Sequence, residues 1–206
     1  MPNMTQTFRN HPLNFLQFHP LLISIFPDAT FDTQTVHFDI NTSDYTSNSV
    51  ESVIDNTPCE LKSTSDTEKL KAYWLPYKPD FATSLQLGSD ANFMFTANMD
   101  GCTFAATHSR TSPRVSHSNA ATIGGIINQY LNDPQKSALA QKAIQQCSAS
   151  RILGLQKIKY QNSRSRDCTT IVGIRDITTG SWRFCKQVIG ISNYGQSCTV
   201  KSVTPF

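Results

Sequence analysis

The sequence predicts an α+β fold: a single domain over residues 1 to 206, with a mixed, mainly antiparallel β-sandwich-like core flanked by helices. Three observations carry this expectation. A chain of 206 residues is enough for one substantial core and short for two. Strand-like runs precede residue 120 and return after residue 151, with two helical segments between them. No internal repeat divides the chain.

Taken in order, residues 1 to 35 are apolar and aromatic and are broken by Pro12, Pro20 and Pro27. They read as one short helix with wrapping loops. Residues 41 to 68 are rich in Ser, Thr, Asn and Asp, a composition that favours loop or irregular structure. KAYWLPYKPD, residues 71 to 80, is a short aromatic strand ended by two prolines, and TSLQLG, residues 83 to 88, alternates like a half-buried strand. Residues 93 to 97, 102 to 107 and 114 to 119 read as strands. TIGGIINQYL, residues 122 to 131, is a helix, and Asp133-Pro134 starts another that runs through QKSALAQKAIQQC. Strands resume with ILGLQKIKY, CTTIVGIRD, SWRFCKQVIGI and SCTVKSV. ITTG, residues 177 to 180, is the hairpin turn between two of these.

Composition narrows the function. Lys and Arg number 18 against 15 Asp and Glu, a net charge of +3, too small an excess to argue for nucleic acid. The one basic run, residues 157 to 166, has polar neighbours and reads as a solvated face. No segment approaches the roughly 20 apolar residues that span a bilayer, so no membrane insertion is expected. The nearest, LNFLQFHPLLISIF, is broken by His19 and Pro20, and no small-residue cleavage site follows it. The six cysteines form no CxxC or CxH pair, so no metal site is expected and free thiols are favoured.

The chemistry concentrates in FMFTANMDGCTFAATHSRTSPRVSHSNA, residues 93 to 120. Cys102 follows a glycine, and Gly101 permits a turn at positive φ and a close approach of substrate to backbone. His108 would stand about 20 Å from Cys102 along an extended strand, which excludes it as a partner. His117 is better placed. In a hairpin whose opposed positions sum to 219 it lies directly across from Cys102, where an imidazole can draw the thiol proton. A one-residue slip would move it to the other face. Thr96, polar in an apolar strand, could hold the imidazole by its hydroxyl or its carbonyl, and the hydroxyl is favoured. Asn119 could orient His117 or cap the following helix. The bland alternative is a buried, inert Cys102 in a noncatalytic binding module.

Thr96, the Gly101-Cys102 turn six residues later and the downstream His117 resemble the Burkholderia lethal factor family, toxins that deamidate a glutamine in a host protein. The same Cys–His pair occurs in the catalytic domain of cytotoxic necrotizing factors. The resemblance implies that Cys102 is the nucleophile, His117 the base and Thr96 its partner, with Gly101 shaping the oxyanion turn. It implies no cofactor, a monomer, and a secreted or delivered effector acting in the host cytosol. The favoured target is the DEAD-box RNA helicase of translation initiation, with Rho GTPases second. Asp100 stands where the family commonly has serine. A cysteine peptidase or transglutaminase using the same pair is the alternative enzyme.

Overall fold

The structure is a computed structural model that describes residues 3–23, 35–42, 59–154, 158–162, 167–192 and 197–206. Two short helices open it, α1 (Met4–Asn10) and α2 (Pro12–Phe18), followed by strands β1 (Leu21–Ile23), β2 (Thr35–Thr42), β3 (Cys59–Thr64), β4 (Leu70–Leu75), β5 (Ala82–Gln86), β6 (Phe93–Thr96), β7 (Thr103–Thr107) and β8 (Arg114–Ser118). Helices α3 (Ala121–Leu131) and α4 (Pro134–Leu153) come next, and β9 (Ile158–Asn162), β10 (Cys168–Arg175), β11 (Trp182–Ser192) and β12 (Ser197–Pro205) complete the chain. Among the described residues no helix is long and apolar enough to cross a membrane.

Local chemistry explains several boundaries. Asp133 caps α4, its Oδ1 accepting from the backbone N–H groups of Gln135 and Lys136, and Pro134 fills the first turn where no N–H is needed. Gly154, at φ 65°, ends α4 in the left-handed conformation. The turn at 177 to 180 is held by Asp176, whose carboxylate accepts from the N–H groups of Thr178 and Thr179.

Four expectations are corrected. The amino-terminal segment holds two helices and a strand rather than one helix, because Pro12 starts a new helix. Residues 35 to 42 form a strand that was not foreseen. The predicted irregular region from 41 to 68 is strand at both ends, in β2 and β3, while its residues 43 to 58 lie outside the described residues. Helix α4 continues to Leu153, so Ile152 and Leu153 of the expected ninth strand are helical.

The strands form two sheets. One has eight strands in the order β1-β3-β2-β4-β6-β10-β11-β12, and the other has four, β5-β8-β7-β9. Pairing is antiparallel except for β1 with β3 and β4 with β6. Alternation along each strand assigns side chains to layers. On β4, Ala72 and Trp74 face α1 and α2 with Phe8, Phe15, Phe38 and Phe95, whereas Tyr73 and Leu75 face the smaller sheet. The inner cluster between the sheets joins Met94, Ile171 and Phe184 to Leu85, Phe104 and Val115. Gly173 is needed here for space: an added Cβ would meet Met94 Cβ at 3.0 Å and Phe184 Cε1 at 3.2 Å. Helix α4 covers the outer face of the smaller sheet, where Ala149 and Leu153 pack on Ala105. The result is a β-sandwich flanked by helices on both outer faces.

Gln187 of β11 fastens the amino-terminal segment to the larger sheet. It is fully buried; its Nε2 donates to the carbonyls of Leu16 and His19, and its Oε1 accepts from Leu21 N–H at 2.8 Å. Gln187→Ala should therefore destabilise the protein by at least about 2 kcal/mol, since each buried polar group left unpaired costs about 1–3 kcal/mol. Urea unfolding measures the loss, and amide exchange at Leu21 should accelerate. An unchanged midpoint would show that these bonds do not hold the segment.

Candidate active site

Three elements deliver the residues singled out by sequence. Thr96 ends β6, the fourth residue of FMFT, and shares the inner face with Met94. His117 lies on β8, paired with Thr83 on one side and Phe104 on the other, so it occupies the middle of the smaller sheet. Its ring crosses the sandwich: Thr96 Oγ1 and His117 Nδ1 are 2.7 Å apart, and both residues are buried. The hydroxyl, not the carbonyl, makes this contact. Gly101 adopts φ 85°, a left-handed conformation that favours glycine, and turns the chain into β7 immediately after Cys102.

The register differs from the one expected. Phe104 is opposite His117, so opposed positions sum to 221 rather than 219, and Cys102 aligns with Asn119. The offset is two residues, which preserves the face because side chains alternate with period two. Cys102 therefore still belongs to the inner cluster with Phe104 and Ala106. His108 follows the far end of β7 and is exposed.

No hydrogen bond joins Cys102 to His117. The Cys102 sulfur instead receives the Asn119 side-chain N–H, with Nδ2 3.1 Å from Sγ, and a backbone N–H from Asp100. Asn119 Oδ1 accepts from the N–H groups of Asp80, at 3.2 Å, and Ala121, at 3.1 Å. Asn119 thus neither orients His117 nor stands at the cap position of α3, which Ala120 holds. His117 Nε2 is buried with no hydrogen-bond partner, an uncommon state for a ring nitrogen.

Three further residues belong to the site and were not singled out by sequence. The Tyr77 ring lies against the imidazole, with centroids 5.3 Å apart, and close enough to Cys102 to feel its charge. Asp80, at φ 55°, accepts from Thr122 N–H at 2.8 Å and so ties the loop before β5 to the start of α3. Thr83 donates to the carbonyl of Pro76, steadying the same loop. The only signal in the sequence was PYKPD itself, a proline-punctuated stretch carrying one aromatic and one carboxylate.

Burial dominates the electrostatics. It pulls His117 down from 6.5 to about 4, so the imidazole is neutral near pH 7. It also pushes the Cys102 thiol up, opposed by the Asn119 and Asp100 N–H groups and reinforced by the Asp100 carboxylate. Tyr77 is pushed up by burial and then by Cys102 and Asp80. Asp80 is lowered by its hydrogen bonds to Thr122. The resting pair is a thiol and a neutral imidazole, not the ion pair that a directly bonded cysteine and histidine would form.

Protein-family models and curated proteins provide no match to this chain.

The His117 shift has a consequence for stability. Folded His117 takes up a proton only near pH 4, whereas the unfolded chain does so near 6.5. The unfolded state binds more protons between those values, so His117's contribution is complete above about 6.5 and is lost as pH falls toward 4. The loss should be on the order of 3 kcal/mol. His117→Asn should remove this part of the slope in urea unfolding at about pH 7 and about pH 5. An identical slope in both proteins would mean that His117 is not buried neutral.

Proposed function

We propose that the chain is a bacterial toxin or effector that deamidates a glutamine side chain in a host protein. Cys102 is the nucleophile, His117 the acid and base, and Thr96 the group that holds the imidazole. The observation that carries this reading is the 2.7 Å contact between Thr96 Oγ1 and His117 Nδ1, on the face that also carries Cys102. A proton on Nδ1 donates to the Thr96 oxygen and leaves the Nε2 lone pair free to accept the thiol proton. Catalytic hydrogen bonds are often long before substrate arrives, so the present Cys102–His117 separation is compatible with this role.

The reaction is acyl transfer. His117 Nε2 takes the Cys102 proton, and the sulfur lone pair forms a bond to the side-chain carboxamide carbon while the carbonyl π pair moves to oxygen. When the tetrahedral intermediate collapses, the C–N bond breaks and ammonia leaves with the proton from His117. Water then attacks the thioester, yielding glutamate and the free thiol. Backbone N–H groups of the Gly101-Cys102 turn are the oxyanion donors in this reading, a function typically worth about 10²–10³ in rate.

Exposure supports a side-chain substrate. Cys102 is 3% exposed and His117 1%. A glutamine side chain reaches such a thiol more readily than a polypeptide backbone can lie across it, which favours deamidation over peptide cleavage. The resemblance to the lethal factor family favours the translation-initiation RNA helicase over Rho GTPases as target, met by a monomer in the host cytosol without a cofactor. The competing reading, a binding module with a structural Cys102, rests on the same burial and on the raised thiol.

Incubation with eukaryotic lysate tests the proposal, with mass spectrometry mapping glutamine-to-glutamate changes. Deamidation leaves the target chain whole; fragments would point to a peptidase, and no change at all would favour the binding module. Cys102→Ser should abolish the reaction with the fold intact. His117→Ala should cost roughly 10²–10⁴ in rate while His108→Ala is nearly silent.

Thr96→Val should lower activity markedly yet change stability by only about 0.5–1.5 kcal/mol, one net hydrogen bond. Full activity in this variant would exclude the hydroxyl as the group that orients the ring.

A further inference from the structure

We infer that Asn119 is a catalytic residue, the side-chain donor that stabilises the Cys102 thiolate; the assignment rests on Cys102 being the nucleophile proposed above. Its carboxamide is oriented by the backbone. Two N–H groups, from Asp80 and Ala121, converge on the same side-chain atom at 3.2 and 3.1 Å, and only an oxygen can accept both. That fixes Oδ1 and leaves Nδ2 to donate one hydrogen to the Cys102 sulfur, 3.1 Å away.

The position follows from the register. With Phe104 opposite His117, the residue two places further along β8 is level with Cys102, where the strand gives way to α3. A carboxamide there reaches across the pair, and its acceptor end is occupied by the first turn of α3 and by the loop before β5. The donor end therefore needs no reorganisation when charge forms on sulfur.

The site requires such a donor. His117 is neutral and not bonded to the sulfur, and among the described residues the charge that acts on the thiol is the Asp100 carboxylate, not a cation. Asp100, two residues away, adds an opposing negative charge. The remaining stabilisation comes from dipoles, namely the Asn119 side chain and the Asp100 backbone N–H. As sulfur bonds to the carboxamide carbon, its charge passes to the oxygen two bonds away, within range of the same donor.

Asn119→Ala removes the donor at sulfur without adding a charge. Peptide-resolved alkylation with iodoacetamide across pH should show the Cys102 midpoint raised by about one to two pH units, the loss of one hydrogen bond to a charged group. Below the midpoint the alkylation rate of Cys102 then falls about 10- to 100-fold, while that of the exposed Cys147 is unchanged. Asn119→Asp keeps an oxygen for Asp80 and Ala121 and should shift Cys102 the same way but further, because its carboxylate adds like-charge repulsion. In the unmodified protein the Asn119 side-chain amide resonances should titrate with the Cys102 midpoint, a measurement that needs no variant. An unmoved Cys102 midpoint in Asn119→Ala, or amide resonances that ignore Cys102, would overturn the assignment and leave Asn119 a purely structural residue. A wild-type protein that deamidates nothing, with the midpoint shift present, would instead sink the deamidase reading while the donor role stands.

Discussion

The packing of one sheet on the other governs everything else in this molecule. Apolar inner faces from β4, β6, β10 and β11 meet those of β5, β7 and β8, and once they interdigitate the offset between the sheets is no longer adjustable. Thr96 and His117 are the polar pair trapped in that contact, each occupying an inner-face position that a hydrophobic residue would otherwise fill. Their hydrogen bond satisfies the Thr96 hydroxyl and His117 Nδ1 in a medium where an unpaired group is expensive, and leaves Nε2 unpaired. Cys102 gains its surroundings from the same packing, at the rim where the inner cluster ends and the loop carrying Tyr77 folds over.

Burial sets the chemistry as well as the fold. It keeps the imidazole neutral and the thiol protonated, and under the proposed reaction this suits a base that takes a proton as the nucleophile attacks better than a standing ion pair. The carboxamide of Asn119 and the turn at Gly101 then supply fixed dipoles where a cation is missing.

Much of this was legible in the sequence, and the failures have physical causes. Strands with period-two apolar alternation, such as residues 93 to 97 and 114 to 119, were readable because one face of each is buried. The Asp133-Pro134 start was readable because capping is local. β2 carried the period-two signal, with Val36, Phe38 and Ile40 alternating with polar residues, and was overlooked beside the polar stretch that follows. β3, with Glu60, Lys62 and Ser63, has a weaker signal and owes more to its neighbours in the sheet. The face of His117 was found but its register was not, since a hairpin loop of six residues leaves several offsets of equal parity. Tyr77 and Asp80 come from a loop folded back across the sheet, and no spacing rule reports where such a loop lands.

The order in which the chain visits its two sheets carries one more consequence. β1 to β4 lie in the larger sheet, β5 in the smaller, β6 in the larger, β7 to β9 in the smaller, and β10 to β12 in the larger again. The polypeptide is sewn through the sandwich rather than laid down as two successive halves. No cut leaves each sheet on its own fragment, so the molecule cannot be divided into autonomous modules or reassembled from one sheet at a time. A chain that had been unfolded would regain the Thr96–His117 contact and the surroundings of Cys102 only once both sheets had closed on each other.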